Sequence, residues 1–189
     1  LTLEALFSLL PPIRPREFSI ASSPTNDRLA KRNNDTAFNL ELCVAVVEGT
    51  TRLGRSFHGL CSHYLRNALQ ESSVCLWVRP GSFHGLPRDP NVPVLCVGAG
   101  TGIAPLRGIL HERVTLRSTP TTPRITHRTE SSNILVFGCR KKSADFYYEK
   151  EWLELEKSEL LQIFTAFSQD QRRKIYVQQV LTALSKENR

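Results

Sequence analysis

The chain contains no methionine among its 189 residues, and it begins at Leu1. We therefore expect a piece of a longer protein. No apolar run approaches the ~20 residues that a membrane-spanning helix needs, and no signal-peptide pattern opens the chain. Hydrophobic residues make up 40% of the sequence and charged residues 23%, which excludes a disordered chain. These features predict a globular protein with no membrane partner.

The sequence also lacks the spacings that mark disulfide frameworks and metal sites. Its five cysteines are scattered without a CxxC pair, and its five histidines form no pair at metal-binding spacing. Cys96 and Cys139 lie in apolar, strand-like runs. The pattern predicts reduced thiols, a cytoplasmic location and no metal site.

Charge is abundant, with more basic than acidic residues. The net charge is +7, and residues 107–142 contain eight Lys or Arg against Glu112 and Glu130. Such a basic face attracts nucleic acid, a phosphorylated cofactor or an acidic protein. Aromatic residues that stack on bases are not interleaved with these cations, so we expect no nucleic-acid partner.

Composition divides the chain into two parts. Alternating apolar and β-branched residues predict antiparallel strands at 38–47 and 74–78, with a helix over 61–69 between them. Residues 80–93 hold four prolines and two glycines, which is typical of a linker. The predicted domains are therefore 1–79 and 93–189, with a linker at 80–92.

The second part alternates between strand and helix patterns. The predicted elements lie at 93–97, about 104–114, 133–138, about 145–157, 160–164 and about 169–184. This rhythm predicts a parallel sheet with helices on its faces. Residues 115–132 are polar and aperiodic, and we expect them to form a mobile surface insertion.

A glycine-rich turn, Gly98 to Gly102, follows the first of these strands. Its glycines allow positive φ and close approach of a ligand, and Pro105 suits the first turn of the next helix. Helix N-termini favour anions, so this turn is a candidate phosphate site. The spacing does not match GxGxxG, and a plain tight connection is the alternative.

A second candidate site lies near the start of the chain, at Arg16, Phe18 and Ser19. An arginine, an aromatic ring and a hydroxyl can clamp a phosphate, stack on a ring and hydrogen-bond a ligand. An edge strand with a serine-rich turn is the alternative. Residues 59–62, Gly-Leu-Cys-Ser, open a helix with small residues suited to a pyrophosphate. Two such turns suggest two dinucleotides exchanging an electron or hydride.

Five segments in order along the chain resemble one family. They are residues 16–19, 59–62, 98–105, 137–140 and 174–178. Together they resemble the FAD- and NADPH-binding half of the diflavin reductases, in the ferredoxin-NADP reductase superfamily, which also includes the microsomal cytochrome reductases. Residues 145–152 look most similar to the soluble NADPH-dependent diflavin oxidoreductases. Those proteins pass electrons to an anamorsin-type iron–sulfur protein in cytosolic iron–sulfur cluster assembly.

The resemblance implies a fold between the α+β and α/β classes. A partial antiparallel β-barrel would bind FAD, and a three-layer αβα domain with a parallel sheet would bind NADPH. The implied activity is hydride transfer from NADPH to FAD, followed by electron transfer through FMN to the acceptor. FMN would lie in an acidic domain outside this piece, as would the family's final strand. Two alternatives stay open: a single-flavin ferredoxin-NADP-type reductase, or an inactive fragment that serves as a binding module.

The resemblance also assigns FAD-binding roles. Arg16 would neutralise the FAD pyrophosphate, Phe18 would stack on the isoalloxazine, and Ser19 would hydrogen-bond near flavin N5. Backbone N–H groups would hold the FAD phosphates around three residues: Gly59, Cys61 and Ser62.

For NADPH, the resemblance implies a pyrophosphate cradle and a nicotinamide neighbour. Cys139 would lie beside the nicotinamide and share the catalytic role with Ser19, whereas a buried strand cysteine is the alternative. Gln169 stands where the family often has arginine, which leaves Arg172 or Arg173 as replacement phosphate partners. The implied NADP-binding residues are Gly100, Thr101, Gly102, Arg140, Ser168, Lys174, Tyr176 and Gln178.

Overall fold

A computed structural model describes residues 2–10, 12–25, 39–87, 89–118 and 132–187. Contacts divide the chain into two units, Leu1–Phe18 with Val46–Ser72 and Ser19–Ala45 with Ser73–Arg189. The division does not follow sequence order, because Ser19–Ala45 groups with the second half of the chain. The domain boundaries at 79 and 93 stay predictions.

The first unit contains two short helices and a β-hairpin. In chain order its elements are α1 (Leu3–Leu9), β1 (Glu48–Thr50), β2 (Ser56–His58) and α2 (Leu60–Asn67). β1 and β2 pair antiparallel, with Gly49 opposite Phe57. The predicted helix over 61–69 is confirmed, starting one residue earlier and ending two residues earlier than expected.

The structure corrects both strand predictions in this part of the chain. In the described residues 39–47, pairing is limited to one antiparallel bridge between Ile20 and Leu42. Residues 74–78 form no strand, and Trp77 stays 63% exposed. Alternation shows that a segment can pair, but pairing also needs a neighbouring strand. No β-barrel is seen among the described residues, and the barrel stays a prediction.

The second unit alternates strands and helices as predicted. Its elements are β3 (Leu95–Ala99), a 3-10 turn (Gly100–Gly102), α3 (Ile103–Ser118), β4 (Asn133–Cys139), α4 (Lys142–Asp145), α5 (Glu149–Lys157), β5 (Leu161–Phe167) and α6 (Val177–Glu187). The three strands form one parallel sheet in the order β3-β4-β5.

Helices cover both faces of this sheet. On one face, the buried side chains of Cys96, Leu135 and Phe137 join a core to which α3 and α5 contribute. On the other face, α6 contacts all three strands, and a Cβ at Gly138 would lie 2.7 Å from Val177. The three-layer αβα arrangement is therefore present in the second unit.

Helix boundaries in the second unit differ from prediction at three places. α3 extends to Ser118, so residues 115–118 of the predicted mobile insertion are helical, whereas 119–131 lie outside the described residues. The predicted helix over 145–157 is interrupted at Tyr148, which has a φ of 62°. α6 begins only at Val177, and the N–H groups of Ser168 and Gln169 bond instead to the carbonyls of Cys139 and Arg140. None of the described helices is long and apolar enough to cross a bilayer.

Arg107 on α3 ties three parts of the second unit together. Its guanidinium donates to both carboxylate oxygens of Glu151 on α5, at 2.7 and 3.0 Å. It also donates to the carbonyl of Ala21, at 2.8 Å, and to the carboxylate of Glu41. The side chain is only 12% exposed, and its guanidinium carbon lies 4.5 Å from the ring centre of Tyr148.

His111 makes the stability of this network depend on pH. Its Nε2 lies 3.0 Å from Glu151, and burial, followed by the positive charge of Arg107, lowers the pKa of His111. Below about pH 6.5 the unfolded chain therefore binds more protons than the folded chain, and stability falls as the pH decreases. We expect His111→Gln to reduce the drop in Tm between pH 7.5 and pH 5.5.

The matched control for this prediction is His84→Gln, at an exposed histidine. Thermal melts of both variants at the two pH values make the comparison. An equal drop in Tm for His111→Gln and wild type would contradict the assignment.

Candidate functional site

A cavity of about 400 Å³ opens at the carboxyl edge of the parallel sheet. In open parallel sheets, this edge is where ligands bind. The ends of all three strands and the start of α6 contribute to its wall. Seven of the predicted NADP-site residues line it: Gly100, Thr101, Cys139, Arg140, Ser168, Tyr176 and Gln178.

Small residues create the space at this edge. Ala99, Gly138 and Ala166 occupy the same register position on β3, β4 and β5, and all three line the cavity. Gly100 follows with a φ of 53°, a left-handed conformation that favours glycine. No atom lies within 4 Å of a Cβ built there. The turn therefore leaves its backbone open to a ligand, as a phosphate cradle requires.

Two predicted residues do not line the cavity. Gly102 belongs to the same 3-10 turn, but it is exposed outside the lining. Lys174 is exposed in the loop between β5 and α6. The Asp170 carboxylate in that loop accepts the Lys142 N–H, at 2.9 Å, and so caps the start of α4.

Arg140 presents a cation at the cavity wall, and Asp145 orients it. The Arg140 guanidinium donates to both oxygens of Asp145, at 3.1 and 3.2 Å. These bonds lower the pKa of the Asp145 carboxyl, which stays ionised. The Arg140 side chain is 71% exposed, so most of its surface is accessible to an anion.

The Cys139 thiol is neutral at physiological pH. Burial, followed by the carboxylates of Asp145 and Asp170, raises its pKa to about 11. Its Sγ lies 3.6 Å from the carbonyl of Lys141 and donates to it. A neutral thiol at the cavity wall is a poor nucleophile and adds no negative charge beside an anionic ligand.

The predicted FAD residues fall in two units. Arg16 is exposed and Phe18 is half-buried in the first unit, and Ser19 is exposed in the second. In the first unit the N–H of Gly59 donates to the Val47 carbonyl, at 2.6 Å, so this N–H does not face a ligand. The first-turn N–H groups of α2 that can face a phosphate are then those of Leu60, Cys61 and Ser62. The Ser62 hydroxyl accepts the Val47 N–H and donates to the Gly59 carbonyl.

Sequence reasoning missed several residues of the cavity wall. Asp145 and Tyr147 line it, and Ala45 reaches it from a distant part of the chain. The sequence signal that could have identified Asp145 is its carboxylate, five residues after Arg140. No local pattern marks Ala45. Within the described ranges, no group of three or more His, Cys, Asp or Glu side chains is placed to hold a metal ion.

Comparisons with known proteins relate the second half of the chain to an oxidoreductase domain family. Residues 96–188 match the family model described as the oxidoreductase NAD-binding domain. The chain is 42% identical over 183 residues to NADPH-dependent diflavin oxidoreductase 1 of Mus musculus, covering 95% of this chain and 27% of that protein. It is 43% identical over 182 residues to the protein of the same name from Bos taurus, again covering 95% and 27%.

A third relative carries a different name. NADPH–cytochrome P450 reductase of Drosophila melanogaster is 38% identical over 177 residues, covering 92% of this chain and 24% of that protein. The chain thus spans about a quarter of the length of the curated relatives that it matches.

Proposed function

Because the chain carries an oxidoreductase NAD-binding domain and is a relative of the NADPH-dependent diflavin oxidoreductases, we propose that it is the pyridine-nucleotide-binding part of a flavoprotein reductase. In this proposal NADPH donates electrons to FAD, and FMN carries them to an acceptor. The observation that supports it most is the cavity at the carboxyl edge of the sheet, lined by seven residues of the expected nucleotide site.

The residues present fit a dinucleotide phosphate. Gly100 and Thr101 would hold the pyrophosphate, because the Gly100 turn is open and leads into the N-terminus of α3. Arg140 would add a positive charge at the cavity wall. Ser168 and Tyr176 would contact the adenosine 2′-phosphate through a hydroxyl and a ring, which supports NADPH over NADH. Arg172, Arg173 and Lys174, in the same exposed loop, add positive charge near that position.

Arg16, Phe18, Cys61 and Ser62 would hold FAD, within the proposed partial β-barrel. The redox chemistry itself is supplied by the cofactors, with hydride passing from the nicotinamide to flavin N5. The protein's contribution is position and electrostatics. Ser19 would hydrogen-bond near the flavin N5. The neutral Cys139 thiol would lie against the nicotinamide without repelling the phosphates.

The proposal is tested by stopped-flow measurement of flavin reduction by NADPH in the FAD-loaded protein. Ser19→Ala and Cys139→Ala should each slow reduction about tenfold, or about 1.4 kcal/mol of barrier, because each removes a group that positions a reacting ring. The dissociation constant of NADP+ should stay within about twofold of wild type.

Cys75→Ala, at an exposed cysteine, is the matched control and should leave the rate unchanged. Unchanged rates in both site variants would remove the catalytic assignments. If NADPH does not reduce the flavin in wild type, the proposed activity is wrong.

We propose further that the electrons leave through an acidic FMN domain for an anamorsin-type iron–sulfur protein in cytosolic iron–sulfur cluster assembly, which places the protein in the cytoplasm. The similarity of residues 145–152 to the soluble family members supports this acceptor. Purified candidate acceptors, compared for their rate of reduction by the complete enzyme and NADPH, would test it.

A further inference from the structure

The segment from Ser19 to Thr25 belongs to the nucleotide-binding unit. Although it directly follows Phe18, its contacts group it with the parallel sheet. Ala21 is fully buried, and Ser23 is only 4% exposed. The segment is therefore an integral part of the unit that holds the cavity. It begins with Ser19, the residue proposed to contact flavin N5.

Glu112, on α3, is the main anchor for the end of this segment. Its carboxylate accepts hydrogen bonds from the Ser23 hydroxyl at 2.5 Å, the Thr25 hydroxyl at 2.5 Å and the Thr25 N–H at 3.3 Å. Hydrogen bonds to an ionised carboxylate are stronger than neutral ones. One side chain of α3 thus holds two residues that are 87 or more positions away in sequence.

Arg107 and Gly108 hold the middle of the segment. Arg107 donates to the Ala21 carbonyl at 2.8 Å, and a Cβ at Gly108 would lie 2.9 Å from the Ser22 carbonyl oxygen. The backbone of the segment therefore lies directly on α3, where a side chain would not fit. Positions 108 and 112 are one turn apart and share a helix face.

The same helix begins at the nucleotide turn. α3 starts at Ile103, directly after Gly100–Gly102, and at 1.5 Å per residue Arg107 and Glu112 lie about 6 and 14 Å along its axis. A helix of 16 residues packed on a sheet acts as a rigid rod over that distance. A phosphate bound at its first turn would therefore restrict the motion of the whole helix, including both anchors.

We propose that α3 couples the nucleotide cavity to the Ser19–Thr25 segment, with Glu112 and Arg107 as positioning residues. Occupation of the Gly100 turn holds α3, and α3 holds Ser19 in place for the flavin. This coupling rests on the proposed function, since it requires a nucleotide in the cavity. Neither anchor lines that cavity, so their effect on Ser19 does not depend on contact with the nucleotide.

The test is hydrogen–deuterium exchange of a peptide covering residues 19–25 in the purified chain, with and without saturating NADP+. In wild type, NADP+ should slow exchange of this peptide about threefold or more. In Glu112→Ala the ratio of the two rates should fall to about one, while calorimetry gives an NADP+ dissociation constant within about threefold of wild type. Glu112→Gln keeps an acceptor oxygen and should restore part of the ratio.

The ratio of the exchange rates without and with NADP+ separates coupling from simple structural support. Loss of support alone would speed exchange equally with and without NADP+. Glu154→Ala, at an exposed glutamate on α5, is the matched control and should keep the wild-type ratio. If wild type binds NADP+ but exchange of the peptide does not change, the coupling is wrong and the proposed function stands. If Glu112→Ala keeps the wild-type ratio, the coupling is also wrong. Failure of wild type to bind NADP+ overturns the proposed function and the coupling together.

Discussion

Replacing Trp152 by alanine is expected to lower the free energy of unfolding by about 4 kcal/mol and the Tm by roughly 10 °C. The side chain is fully buried in the core of the second unit. Its indole N–H donates to the carbonyl of Tyr147 at 2.8 Å, and its ring lies near His111 and Tyr148. The substitution leaves a large cavity and removes the hydrogen bond that holds the turn before α5.

The chain's other tryptophan provides the control. Trp77 is 63% exposed, and Trp77→Ala should change stability by about 0.5 kcal/mol or less. Denaturant unfolding followed by circular dichroism measures both variants. Comparable losses in the two would show that α5 is not anchored through Trp152.

Replacing Gly100 by valine is expected to weaken NADP+ binding about a hundredfold, or about 2.8 kcal/mol. Gly100 lines the cavity, and a Cβ built on it meets no atom within 4 Å. A valine side chain would therefore occupy the cradle proposed for the pyrophosphate. The backbone at position 100 is left-handed, with a φ of 53°. A non-glycine residue there also lowers the stability of the fold by about 1–2 kcal/mol of strain.

Gly54→Val is the control that separates backbone strain from loss of the phosphate cradle. It lies between β1 and β2, has a φ of 75°, and likewise has no atom within 4 Å of a built Cβ. Gly54→Val should thus cost similar stability and leave NADP+ affinity unchanged. Calorimetric titration of both variants gives the comparison, and a similar affinity in both would place the nucleotide elsewhere.

The similarity of the second unit to an oxidoreductase NAD-binding domain could be predicted from the sequence because its signals are local. The glycine turn, Pro105 and the apolar run into Cys139 each depend on residues a few positions apart. Strand–helix alternation predicted the parallel sheet, since a buried strand and an amphipathic helix have different periods. The confirmed strands are those whose pattern and pairing partner both lie in this part of the chain.

The predictions that went wrong share one physical cause. Residues 74–78 alternate like a strand, but a strand forms only where another strand can take its hydrogen bonds. The helix expected from 169 starts at Val177, and the N–H groups of Ser168 and Gln169 bond instead to the carbonyls of Cys139, at the end of β4, and of Arg140, which follows it. Residues 74–78 have no partner strand among the described residues, and residues 168–169 bond to a segment that is distant in sequence. In both cases contacts beyond the local sequence decided the structure.

Local sequence, together with the family resemblance, was sufficient to name Gly100, Cys139, Arg140 and Tyr176 as candidate nucleotide ligands. That is because the motifs that carry the resemblance are short runs of neighbouring residues. Only the folded chain aligned Ala99, Gly138 and Ala166 at one register, and only it set Glu112 against Ser23 and Thr25. Sheet register and long-range hydrogen bonds arise from packing between segments tens of residues apart, and no pattern within a single segment records them.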